Sequence, residues 1–238
     1  MKLNYEKEIK IEKDGQPHHD PCISHCLSYA FGICEEKHVN ICQNCDEFWI
    51  LFKNLQDTIG ESSGDMLNDA QEKLCYYLAH QTRKVYLNSQ FSFILGELDY
   101  DGAVLVVDYK MRILPKSARE AKDKFFGKKG WTLHSVLLYT KNQDGELDVS
   151  AFDHWSNDTR QDAWFTASSL HAVLTSIENK PKWVSIISDN GGHYHNSELM
   201  VILNYWHEWY DIEVRNWMFL EPGEAKTAID SHHAQVSQ

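Results

Sequence analysis

Ala103-Val-Leu-Val-Val-Asp-Tyr-Lys-Met111 decides the fold. Its first five residues are all apolar, with none of the alternation of a half-exposed strand, which describes a strand covered on both faces. The run ends in an acid, Asp108. Working outward, residues 131–140 and 147–155 read as two further strands, joined by Lys141-Asn-Gln-Asp-Gly145. Asp-Gly chemistry suits an antiparallel hairpin. A helix over about 162–179 follows, with Trp164, Ala167, Leu170, Val173, Leu174 and Ile177 on its apolar face and Pro181 beyond it. Trp183-Val-Ser-Ile-Ile187 is a second buried strand, and it too runs into an acid, Asp189, followed by Asn190-Gly-Gly192. A helix over 197–210, a strand over 214–220, the turn Glu221-Pro-Gly223 and a last helix over 224–236 complete the pattern. The order strand, hairpin, helix, strand, helix, strand, helix predicts an α/β fold, a mixed sheet flanked by helices.

Upstream, apolar residues recur at helical spacing over 48–93, with a break at Gly60-Glu-Ser-Ser-Gly64, which predicts two packed helices. The expected organisation is a Cys/His-rich module over 1–47, a helical segment over 48–100 and the sheet domain over 101–238. With 238 residues, 42% of them hydrophobic and 12% aromatic, the chain can bury a core and is not disordered. Met1 to Lys10 carries no signal-peptide pattern, and no apolar run approaches the ~20 residues that span a bilayer. No membrane partner is expected. A net charge of −12 disfavours nucleic acid only if the charge is evenly spread. It is not. Within 110–129 stand Lys110, Arg112, Lys116, Arg119, Lys122, Lys124, Lys128 and Lys129 against Glu120 and Asp123, the place where a phosphate backbone would sit.

Five of the six cysteines lie between Cys22 and Cys45. Without a secretory signal, clustered cysteines beside histidines point to zinc rather than to disulfides. Cys42-Gln-Asn-Cys45 has the two-residue spacing that brings two thiolates to one tetrahedral ion. Cys34, His38, Cys42 and Cys45 are the expected ligands of one structural Zn2+, with Cys22 or Cys26 beside the knuckle as the alternative.

Val106-Val-Asp-Tyr-Lys-Met111 and Ile187-Ser-Asp-Asn-Gly-Gly192 resemble the first and second acidic motifs of DDE/DDD transposases and integrases, particularly those derived from eukaryotic cut-and-paste elements. The element order is similar to that of the ribonuclease H-like fold, and the Cys/His module resembles the zinc-binding segments such transposases carry. The resemblance implies a DNA nucleotidyl transferase that cleaves phosphodiesters and transfers strands with two Mg2+ (or Mn2+) ions. It implies a nuclear location and transposon ends and target DNA as partners, and it leaves the oligomeric state open, a homo-oligomer included. Hard cations need carboxylate oxygens, and Asp108 and Asp189 would supply them from adjacent strands.

The third acid lies on the last helix in the resembled families. Glu224 stands 35 positions past Asp189 (224 − 189), close to integrase spacing, and Asp230 stands 41 past it (230 − 189). Gly223-Glu-Ala-Lys-Thr-Ala-Ile-Asp230 resembles the Gly, Lys, Asp arrangement of DDD-type elements, so Asp230 is expected as the ligand, with Glu224 as runner-up. Lys226, one turn before Asp230, would meet a phosphate. His193 and His195 follow the second acid and are expected to be solvated. The chain ends at Gln238, eight residues past Asp230 (238 − 230), so the sheet domain is expected to be truncated at its C-terminus. A non-catalytic, nucleic-acid-binding descendant and a ribonuclease H-like nuclease are the alternatives to a transferase.

Overall fold

The computed structural model describes residues 7–12, 15–59, 64–114, 130–221 and 227–236. The chain divides into two compact units, Met1–Phe93 and Ile94–Gln238. Among the described residues no helix is long and apolar enough to cross a membrane.

In the first unit a loop-rich segment carries the short helix α1 (Leu27–Ala30) and is followed by α2 (Gln43–Ile59) and the long α3 (Gly64–Glu97). The expected helix pair is present on either side of the expected break. Hydrogen bonds from α3 side chains to loop carbonyls fasten the segment down. Thr82 Oγ1 donates to Ser24 O at 3.1 Å, Arg83 to Ala30 O at 2.9 Å and Tyr86 to Gly15 O at 2.7 Å. Phe31 packs edge-on against Tyr86, ring centroids 5.2 Å apart.

The second unit is built on β1 (Gly102–Ile113), β2 (Trp131–Lys141), β3 (Leu147–Ser156), β4 (Trp183–Asp189) and β5 (Glu213–Leu220). They form one mixed sheet in the order β3-β2-β1-β4-β5. β2 is antiparallel to both β1 and β3, whereas β1, β4 and β5 run parallel. The apolar run marks the middle strand, since Ala103, Val104, Leu105 and Val107 are wholly buried. In the β2–β3 turn Asn142 Oδ1 accepts from Glu146 N at 2.8 Å, and Gly145 takes φ +80°, a value that favours glycine.

Strand alternation divides the sheet into two faces. One presents Leu105, Val107, Val136, Leu138, Val184 and Ile186 to α4 (Ala163–Ser176), α5 (Ser197–Asn204) and α6 (Trp206–Tyr210). Asp162 caps α4 by accepting from Phe165 N at 2.9 Å, and Asn196 caps α5 by accepting from Leu199 N at 2.8 Å. The single helix expected over 197–210 is two. At its joint Tyr205 N donates three residues back to Ile202 O, and Trp206 turns into the core, 2% exposed. The other face lies under α7 (Thr227–Val236), which packs on β1 and β2 and buries Ile229 and His233.

Candidate functional site

Asp108 and Asp189 share the face beneath α7. Every parallel β1–β4 pair from Gly102↔Trp183 to Val106↔Ile187 has an offset of 81 (183 − 102), which carries Asp108 to the level of Asp189 (108 + 81). Asp108 and Asp189 each stand two residues past the last of these pairs, on strands whose backbones are about 4.8 Å apart where they pair. Asp108 also pairs with Ser135 of β2, and Ser135 with Asp153 of β3. Directly paired residues point to one face. Asp189, Asp108, Ser135 and Asp153 therefore form a polar row across four strands.

Each acid in the row faces a histidine. His233 Nδ1 lies 3.7 Å from Asp108 Oδ2, and His232 Nε2 lies 2.9 Å from both carboxylate oxygens of Asp153. His193 Nε2 lies 3.4 Å from Asp189 Oδ1. Burial above all, with Lys110 and His232 nearby, pushes His233 down to about 4, so its imidazole is neutral at pH 7. Lys110 Nζ donates to His233 O at 3.0 Å and ties α7 to β1. Ser135 Oγ donates to Asp153 Oδ1 at 2.5 Å.

The Asp189-Asn-Gly-Gly stretch is a turn as well as a carboxylate support, because Asp189 Oδ1 accepts from Gly191 N at 2.8 Å. Gly191 leaves room for the His193 ring, which a Cβ would enter. Thr166 Oγ1 of α4 donates to His193 O at 3.2 Å and steadies this loop. His193 is largely buried at 17% exposure, against the expectation of solvation, because it lies edge-on to Tyr109 with centroids 4.8 Å apart. His195 bonds Asn190 and stacks on Phe219.

Asp230 stands on α7, exposed, three residues before His233, and its charge reaches that imidazole. Glu224 and Lys226 lie outside the described residues, as do Lys116, Arg119, Lys122, Lys124, Lys128 and Lys129 of the basic stretch. Asp153, His232 and His233 had no sequence signal as site residues. Their place follows from hairpin register and from which side of α7 meets the sheet.

In the first unit eight donors form two clusters rather than one. His19, Cys26, Cys34 and His38 have donor atoms all within 4.8 Å of one another, and so do Cys22, His25, Cys42 and Cys45. The expected quartet is divided between them. Cys34 and His38 stay together, as do Cys42 and Cys45, but the two pairs go to different clusters. The alternates Cys26 and Cys22 complete one cluster each, with His19 and His25. The reason is spatial: α1 places Cys26 beside Cys34, their sulfurs 3.8 Å apart, while Cys42 Sγ lies 3.7 Å from His25 Nδ1. Burial pushes the thiols of Cys26, Cys42 and Cys45 up and His25 down. Thiolate and neutral imidazole donors in fours suit zinc, and these clusters can bind it.

No curated protein matches the chain. Among solved structures, the crystal structure of the Mos1 strand transfer complex is similar at a TM-score of 0.34 and 10% identity, over 85% of this chain and 68% of that one. A likeness so slight does not bear on function. Residues 88–237 match the model of a family described as a domain of unknown function, DUF8701, a span that includes the whole sheet and α7. By that match the chain belongs to the DUF8701 family.

Proposed function

We propose that the sheet unit is a ribonuclease H-like domain that cuts and joins DNA phosphodiesters as a DDE/DDD transposase-type nucleotidyl transferase. One observation carries the reading: two acids on one face of adjacent parallel strands, each two residues past the last β1–β4 pair, in a sheet ordered β3-β2-β1-β4-β5 with only β2 reversed. The element order along the chain, strand, hairpin, helix, strand, helix, strand, helix, supports the reading, because it is the order whose resemblance to the ribonuclease H-like fold prompted it. The donor chemistry fits the cation such a site needs, since both supports offer carboxylate oxygens to a hard divalent ion. When bound, Mg2+ or Mn2+ would supply an activated oxygen nucleophile and compensate charge on the phosphate.

The chain's own groups do the rest. Asp108 projects from the middle of the sheet, so its backbone cannot drift. Asp189 is held by the Gly191 N–H. Asp230 is the proposed third acid, with Glu224 as runner-up, and basic residues of 110–129 would hold the DNA backbone. His193, fixed through Thr166 and Tyr109, sets its Nε2 3.4 Å from Asp189 Oδ1. A second reading, a non-catalytic nucleic-acid-binding descendant, is favoured by the exposure of Asp230 and by the histidines set against Asp108 and Asp189.

Nicking and strand transfer on duplex DNA with Mg2+ or Mn2+ test the reading. Asp108→Asn and Asp189→Asn should each lower the rate by about a hundredfold or more with folding intact. Asp230→Asn should do the same and Glu224→Gln should do little, and the reverse would move the third role to Glu224. An inactive wild type in both metals would select the second reading.

A further inference from the structure

Between residues 15 and 45, Leu27 is the only large aliphatic side chain that is buried. The other buried positions are Gly15 and four metal donors, Cys22, His25, Cys26 and Cys45. A segment this long without an apolar core needs another source of order, and below about 40 residues metals or disulfides usually supply it. Disulfides are absent, since all six cysteines are free. The donor spacing fits metal. In the first cluster the separations are 3.3 Å for His19 Nδ1 to Cys34 Sγ and 3.8 Å for Cys26 Sγ to Cys34 Sγ and for Cys34 Sγ to His38 Nε2. In the second, Cys42 Sγ lies 3.7 Å from His25 Nδ1, and one donor atom from each of the four residues lies within 4.8 Å of the others. A zinc tetrahedron with Zn–S of about 2.3 Å and Zn–N of about 2.0 Å has edges of about 3.3–3.8 Å.

We propose that this segment holds two zinc ions at once, one through His19, Cys26, Cys34 and His38 and the other through Cys22, His25, Cys42 and Cys45. The ligand sets interleave along the chain. Cys22 and His25 lie between His19 and Cys26, and Cys42 and Cys45 close the second site outside the first. The two loops are therefore threaded through one another, and the two ions fold one unit. The sulfurs are supported as thiolates would be: Cys26 Sγ accepts from Tyr29 N at 3.3 Å and Cys42 Sγ from Cys45 N at 3.5 Å. Ser24 and Ala30, whose carbonyls take the bonds from Thr82 and Arg83, sit among these ligands, so metal loading also sets the docking of the segment on α3. The inference is independent of the acid row.

The test is metal content and thiol protection in the full-length protein, purified without chelator. Elemental analysis should give two zinc per chain, and cobalt exchanged into both sites should show tetrahedral thiolate absorption saturating at two equivalents. Alkylation read by mass spectrometry should modify Cys75, which is exposed, and spare the other five until a chelator is added. Cys34→Ser and Cys45→Ser should each reduce zinc from two to one or none. A wild-type content of one zinc or none would overturn the proposal. So would two equivalents with Cys22 and Cys26 alkylated in the loaded protein.

Discussion

Gly102 opens β1 opposite Trp183, and a Cβ there would fall inside the indole ring. The indole cannot step aside, because its Nε1 donates to Asp99 at 3.0 Å and Arg215 stacks over it at 3.9 Å. Gly102→Ala should cost about 1–3 kcal/mol as an overpacking change, measured by denaturant unfolding, and unchanged stability would mean the strand ends are looser than described. At this scale the sequence was partly legible. An acid that ends an apolar run is visible in one dimension, so Asp108 and Asp189 stood out. Asp153 was not, because it joins them only through the pairs Asp108↔Ser135 and Ser135↔Asp153. His193 was misjudged for a similar reason: Tyr109, which covers it, lies 84 residues earlier (193 − 109).

Strands and helices were legible where their period or their apolar run was strong. β1 and β4 announced themselves as unbroken apolar runs, and the hairpin by its Asp-Gly turn. The α5–α6 joint did not, since Trp206 continues an acceptable helical pattern and only the core explains why the chain tightens at Tyr205. Trp206 is among the largest fully buried side chains, and it packs with Leu199, Leu203 and Ile212. Trp206→Ala should cost about 3–5 kcal/mol. Thermal unfolding followed by far-UV circular dichroism checks it, and a Tm within a degree or two of wild type would show that the joint is not a packing feature. The grouping of thiols and imidazoles was half legible, because spacing finds the knuckle but cannot say which distant pair lies beside it.

At the scale of the whole molecule, one unit has a sheet core of its own and the other carries the two clusters of thiols and imidazoles proposed to hold zinc. Chelation should therefore act on one and spare the other. Seven of the eight tryptophans, all but Trp49, lie in the sheet unit, so tryptophan emission should hold steady while circular dichroism loses helix from the first unit. A parallel loss of both signals would contradict that division. The proposed site requires Asp108 and Asp189 together to hold a divalent cation, whether or not the domain is active on DNA. Electron paramagnetic resonance of Mn2+ added to zinc-saturated protein reads this directly, because bound Mn2+ leaves the free aqueous signal. Wild-type protein should remove Mn2+ from that signal, and Asp108→Asn and Asp189→Asn should each weaken binding about tenfold or more. Equal Mn2+ binding by wild type and both variants, or none by wild type, would contradict the claim.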